Sequence, residues 1–293
     1  MIHARVVVPM ALAVTGFLGA PARAEVRSET FRSPSLGHDV RYTVDLPASY
    51  GDGEKRYPVV YALHGLFEGP GFWERRGLAA DLARLREERT VREFLVVCVD
   101  GGNSFFVNGP PGAFQDLVTR DIVAHMEATY RVLPGRAHRA LLGVSMGGYA
   151  ALRIAFTEPG GFAAVATHSA MLLEGVPDGS DGAGRWQMAA FHAVFGDPID
   201  KTRWDAADPL LLATRADAKA APALYFDCGA EDRYGLAAGQ KKLQAALTAR
   251  QVPYTAELPP GDHGYEFVRS RLEVSLRFLD RALGDGSGRS GDR

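Results

Sequence analysis

"LLGVSMGGYAAL", residues 141–152, passes from an apolar, strand-like run through a glycine-bracketed serine into a helix-like run. This change of pattern across Gly143-Val144-Ser145-Met146-Gly147 predicts a strand, a sharp turn and a helix, with the Ser145 hydroxyl projecting from the turn. Gly147 and Gly148 then open a helix whose amides and dipole favour negative charge. Taken alone, the pattern also fits a tight turn without chemistry, because a chain with 33 glycines produces G-x-S-x-G readily. The surrounding sequence has to decide.

Outward from that stretch, the chain alternates strand-like and helix-like segments. Short β-branched or apolar runs bounded by turn residues mark strands at 41–46, 59–63, 94–99, 140–144, 163–166, 223–226 and 254–258. Between them, Leu78, Leu82 and Leu85 share one helical face, and Val118, Ile122, Met126 and Tyr130 share another. Tyr265, Val268, Leu272, Leu276, Leu279 and Leu283 form a third, at spacings of three and four. Early strands without an intervening helix, followed by repeated strand-helix units, predict an α/β fold. Its sheet is mostly parallel, with an antiparallel N-terminal edge and helices on both faces.

One domain over residues 25–283 suits a 293-residue chain that is 46% hydrophobic. The start, "MIHARVVVPMALAVTGFLGAPARAEV", has a basic beginning, a short apolar run and Ala22-Arg23-Ala24, which together read as a signal peptide over residues 1–24 cleaved after Ala24. The expected location is outside the cytoplasm, periplasmic or secreted, with no membrane anchor left after cleavage. Formal net charge is -2 and becomes -4 once Arg5 and Arg23 are removed, which gives no electrostatic footprint for nucleic acid. Residues 169–221, with Gly and Asp clusters, interrupt the rhythm and are read as an insertion near the site, a candidate lid. The tail 284–293 is Gly-rich and charged, and is read as disordered.

A serine hydroxyl becomes a useful nucleophile only when a base takes its proton and donors receive the developing oxyanion. "ALYFDCGAEDRYG" ends one strand with acidic residues, and "YTAELPPGDHGYEF" ends the next with His263 just before the long terminal helix. Ser, acid, His is the chain order of an α/β hydrolase. His263 is then the base for Ser145, and an acid holds its tautomer. Spacing alone leaves Asp227, Glu231 and Asp232 open as that acid.

Five stretches together, "YPVVYALHG", "VDGGNSFFVNGPPG", "HRALLGVSMGGYAALRIAF", "DCGAEDRYG" and "PPGDHGYEFVRSRL", resemble the esterase D or putative esterase family of α/β hydrolases over nearly all of residues 37–283. That family includes S-formylglutathione hydrolases, feruloyl and acetyl esterases and mycolyltransferases. The resemblance implies an α/β-hydrolase fold of about eight strands in the order 1-2-4-3-5-6-7-8, and a triad of Ser145, Asp232 and His263. It also implies an oxyanion hole from the amides of Leu66 and Met146, and no metal or organic cofactor. His64, before that loop, is read as structural support. In this strand order Cys98 and Cys228 sit too far apart to pair, so two free thiols are expected.

The expected reaction is carboxylic-ester hydrolysis through an acyl-enzyme, on a small-molecule, glycan or lipid ester. Export argues against a glutathione-linked cytosolic substrate. Rival readings are an acyltransferase delivering the acyl group to a sugar or lipid alcohol, a peptidase, and a binding protein on a hydrolase scaffold. Phe72, Trp73, Phe105, Phe106, Trp186, Phe191, Phe195 and Trp204 fall in segments expected to surround the C-terminal ends of the strands, and of these Trp73, Phe105, Phe106 and Trp186 are the leading aromatic candidates for a substrate pocket.

Overall fold

Alternation along the central strands sorts their side chains onto two faces. The computed structural model describes residues 24–51, 53–179 and 184–284. In it Val59, Tyr61 and Leu63 enter one buried cluster, while Val60 and Ala62 enter a second. Both faces of these strands are covered, which is why they read as unbroken apolar runs instead of alternating ones.

The sheet has eight strands: β1 (Glu25–Arg32), β2 (Asp39–Leu46), β3 (Val59–Leu63), β4 (Leu95–Val99), β5 (Arg139–Val144), β6 (Ala164–His168), β7 (Ala223–Asp227) and β8 (Thr255–Glu257). Their spatial order is β1-β2-β4-β3-β5-β6-β7-β8, as the family resemblance implies. β2 runs antiparallel to both neighbours, and every pair from β4 to β8 across the sheet is parallel. One strand, β1, was not among the runs marked from residue pattern. Its sequence, EVRSETFR, buries only Phe31, so it is held by its ladder to β2 and not by an apolar face. Charged side chains along such an edge also discourage pairing with another chain.

Among the described residues, eight α-helices of five residues or more accompany the sheet: α1 (Leu78–Glu87), α2 (Ile122–Thr129), α3 (Met146–Thr157), α4 (Arg185–Phe195), α5 (Lys201–Ala207), α6 (Pro209–Ala213), α7 (Leu236–Ala249) and α8 (Tyr265–Ala282). The apolar stripes of α1 and α8 pack on one face, and those of α2, α3 and α7 on the other. The stripe Val118 to Tyr130 is not one continuous α-helix. A wide turn with π-type bonding, Leu117–Asp121, precedes α2, and Tyr130 lies beyond its end. Segment 169–221 leaves β6, carries α4 to α6 and returns to β7. The predicted signal peptide and tail fall, apart from Ala24 and Gly284, outside the described residues. Among those residues no helix is long and apolar enough to cross a membrane.

Cys98 lies in β4 and Cys228 directly follows β7; both are buried free thiols. Three strands separate β4 from β7, which at about 4.8 Å per strand makes a gap near 19 Å, against a Cα limit of about 7 Å for a disulfide. Non-reducing intact-mass analysis should therefore find two thiols that alkylate only after unfolding. A native intramolecular bridge would contradict this sheet.

Candidate active site

The turn between β5 and α3 is built by close approach of backbone to backbone. A Cβ at Gly143 would sit 2.3 Å from the Gly147 carbonyl oxygen, and one at Gly147 would sit 2.2 Å from that of Leu63. Only glycine fits at either point. Ser145, between them, is forced to φ 52° and ψ -116°, a conformation that costs an L-residue about 1–3 kcal/mol and persists only where the surroundings impose it. Here they do: the Ser145 amide donates to the His168 carbonyl at 3.1 Å, and its carbonyl accepts from Met171 at 3.0 Å and Tyr149 at 2.9 Å.

The loops after β7 and β8 are stitched to each other. Ala230 donates to the Pro259 carbonyl and Glu231 to that of Gly261, while the Glu231 carboxylate accepts the Gly261 amide at 2.6 Å. This brings His263 onto Asp232, with Nδ1 2.9 Å from Oδ2. Asp232 is buried; its Oδ1 accepts the Tyr234 amide, and its Oδ2 also accepts the Cys228 thiol at 3.4 Å. Of the three acids that spacing left open, Asp232 is the one bonded to His263. Glu231 clamps the loop, and Asp227 is sealed in the core beside His168. Neighbouring Asp262 ion-pairs with Arg233 and accepts the His263 amide, which holds its carboxyl down at about 2 and fixes the backbone that carries the imidazole.

Ser145 and His263 line one cavity of about 280 Å³. His263 makes no hydrogen bond to Ser145 among the described residues; such pairs often close only once substrate fills the site. Leu66 also lines the cavity, and Met146 is the first residue of α3. Neither amide donates to another group among the described residues, so both are free for a ligand oxygen. The Leu66 loop is pinned from beneath by His64. Its Nε2 accepts the Gly101 amide at 3.0 Å, so Nδ1–H donates to the Gly65 carbonyl at 2.8 Å. Burial pushes the His64 imidazole below its ordinary value, in keeping with that neutral form.

The aromatic candidates divide differently from the sequence expectation. Trp73, Phe105 and Phe106 are buried and do not line the cavity. Phe105 stacks on Phe191 and meets Tyr149 and Phe195 edge-on or tilted, which makes it core. Trp186 belongs to α4, and its side chain lies outside the described set. The apolar wall comes from Phe67, Phe72, Met171, Leu173, Phe191, Tyr234, Leu236, Tyr265 and Val268. A local signal for part of it was present. Tyr234 stands two residues after Asp232, Tyr265 two after His263, and Phe67 one after Leu66, so the loops that bring the polar groups bring wall residues too. Met171, Leu173 and Phe191 come from segment 169–221, which places that segment at the cavity.

A family model described as putative esterase matches residues 33–279. Two curated esterases from strains of Mycobacterium tuberculosis are each 25% identical over 279 residues, covering 83% of this chain. The match covers 57% of their length, so the chain spans little more than half of each relative. Among solved structures the chain is similar to a ferulic acid esterase, at 26% identity and TM-score 0.75, over 89% of this chain and 99% of that one. It shares its fold with a fluorophosphonate-binding serine hydrolase of Staphylococcus aureus, at 22% identity and TM-score 0.74, over 88% and 98% of the two chains.

Proposed function

Because the chain belongs to the putative esterase family, we propose that it is a serine hydrolase of carboxylic esters working through Ser145, His263 and Asp232. The observation that carries this reading is the Asp232–His263 hydrogen bond at the wall of the cavity that Ser145 also lines. Ser145 Oγ attacks the ester carbonyl carbon while His263 Nε2 takes its proton. The carbonyl oxygen, now an oxyanion, is received by the amides of Leu66 and Met146. The bond to the alcohol oxygen then breaks, His263 returns the proton to that oxygen, and the acyl group stays on Ser145. Water then attacks the acyl carbon from the place the alcohol vacated while His263 takes its proton; the bond to Ser145 Oγ breaks, His263 returns the proton to Oγ, and the carboxylic acid leaves. Asp232 keeps the Nδ1–H tautomer throughout, leaving Nε2 free to accept.

The acyl group enters the apolar cavity, whose volume is at the small end of ligand pockets, about 300–1,000 Å³. In a series of p-nitrophenyl esters, acetate and butyrate should therefore be turned over faster than palmitate, and the matching p-nitroanilides should not be cleaved. Absence of turnover for every ester would reject the assignment. Preferential transfer to an added sugar or lipid alcohol, with little free acid, would identify an acyltransferase instead. Export completes the reading, supported by the N-terminal pattern ending at Ala24.

A further inference from the structure

A second group of Ser, His and Asp lies away from the cavity. His168, at the end of β6, places Nδ1 2.8 Å from Asp227 Oδ1 and Nε2 2.9 Å from Ser275 Oγ. Asp227 Oδ2 also accepts the Tyr225 hydroxyl at 2.6 Å and Arg271 Nε at 3.4 Å, and Arg271 continues to Glu257 in an ion pair. Ser275 donates to the Leu272 carbonyl at 2.9 Å. All three residues are fully buried, and none lines the Ser145 cavity. Composition alone thus gives two triads, and access to substrate separates them.

We propose that this sealed cluster positions the Ser145, Asp232 and His263 groups relative to one another. The inference rests on the esterase reading above. It follows from which elements the cluster joins. The backbone of His168 accepts the Ser145 amide, so the residue whose ring is clamped also supports the nucleophile's turn. Asp227 accepts the Ser169 amide through its carbonyl at 2.7 Å and leads through Cys228, whose thiol meets Asp232, into the acid loop. Ser275 and Arg271 belong to α8, which starts two residues after His263. One buried knot therefore fixes the ends of β6 and β7 and the register of α8: β6 supports the Ser145 turn, β7 leads into the Asp232 loop, and α8 follows His263.

The sequence underlines how unusual the choice is. Ser275 occupies the apolar stripe of α8, between Leu272 and Leu276 and facing the sheet with Val268 and Leu279. Apolar packing there tolerates sliding, whereas hydrogen bonds with fixed directions do not. Setting register is the best-attested use of buried polar and ionic groups, which otherwise add little stability over apolar replacements.

The test uses full-length protein with Ser275→Ala, and Leu276→Val as a control that loosens the same interface without touching the polar knot. The readouts are the fluorophosphonate labelling rate at Ser145 and kcat per titrated active site, beside KM and Tm. For Ser275→Ala we expect labelling and kcat to fall about tenfold or more with KM within about twofold, since misplacement by 1 Å costs up to about 10²-fold. Leu276→Val should lower Tm and leave kcat per site unchanged. Equal labelling and kcat for Ser275→Ala and wild type overturns this inference alone, and a wild type that does not label removes the esterase reading and the inference together. If Ser275→Ala does not fold, Ser275→Cys, which keeps a weaker polar group in place, is read by the same two outcomes.

Discussion

Ser145→Ala should abolish covalent labelling by a fluorophosphonate and lower ester turnover by roughly 10⁴ to 10⁶-fold, the range for losing a nucleophile whose proton acceptor remains in place. The fold should survive. The turn depends on Gly143 and Gly147 and on backbone bonds from Ser145 to His168, Met171 and Tyr149, none of which uses the hydroxyl. Alanine at φ 52° keeps the strain that serine carries, so Tm should stay near the wild-type value. Ser145→Gly is the informative companion. It removes the same hydroxyl and also the Cβ that makes positive φ costly, so it should be equally inactive and at least as stable as the alanine variant. Retained labelling in either variant would mean that another side chain is the nucleophile. Ser275 does not offer that substitute, because it is fully buried and its hydroxyl is already engaged with Leu272.

The parts of this molecule that were legible in the sequence are those set by burial period and by backbone sterics. Strands β3 to β7 announced themselves as short apolar runs because both of their faces are covered, and α1 and α8 because one face is. β1 escaped notice because its stability lies in main-chain pairing, which leaves no mark on side-chain polarity. In the site, Ser145 was legible through its glycines, and His263 through its place after the last strand. Choosing among Asp227, Glu231 and Asp232 required more than spacing, since all three lie within six residues at one strand end and all three are engaged. The structure separates them by what each one faces. Pocket aromatics were least legible: Phe105 and Tyr234 are both large rings near the site in sequence, and only the fold puts one in the core and the other against the His263 ring at 4.8 Å.

That choice among the acids leads to the second large effect. Asp232→Asn should lower kcat by about 10⁴-fold while KM and Tm change little, because the two side chains are nearly the same size and Oδ1 can still accept the Tyr234 amide. The loss comes from the proton on His263. Asp232 Oδ2 accepts Nδ1–H and so leaves Nε2 bare to take the Ser145 proton. An asparagine amide nitrogen at the Oδ2 position donates instead, which favours the tautomer with its proton on Nε2, where it blocks that transfer. It also gives up the carboxylate that balances the imidazolium formed as Ser145 attacks. Turning the amide the other way restores the acceptor for His263 but aims the amide nitrogen at the Tyr234 N–H and loses that contact, whereas the first orientation keeps Tyr234 and takes the acceptor from the Cys228 thiol. Glu231→Gln is the matching control. Glu231 is exposed and serves the Gly261 amide, which a glutamine oxygen accepts almost as well, so its kcat should stay within a few-fold of wild type. If the two variants exchanged places, with Glu231→Gln inactive and Asp232→Asn close to wild type, the loop would have to rearrange in solution to bring the other carboxylate onto His263. The 2.9 Å Asp232–His263 contact would then describe a resting arrangement and not the working one.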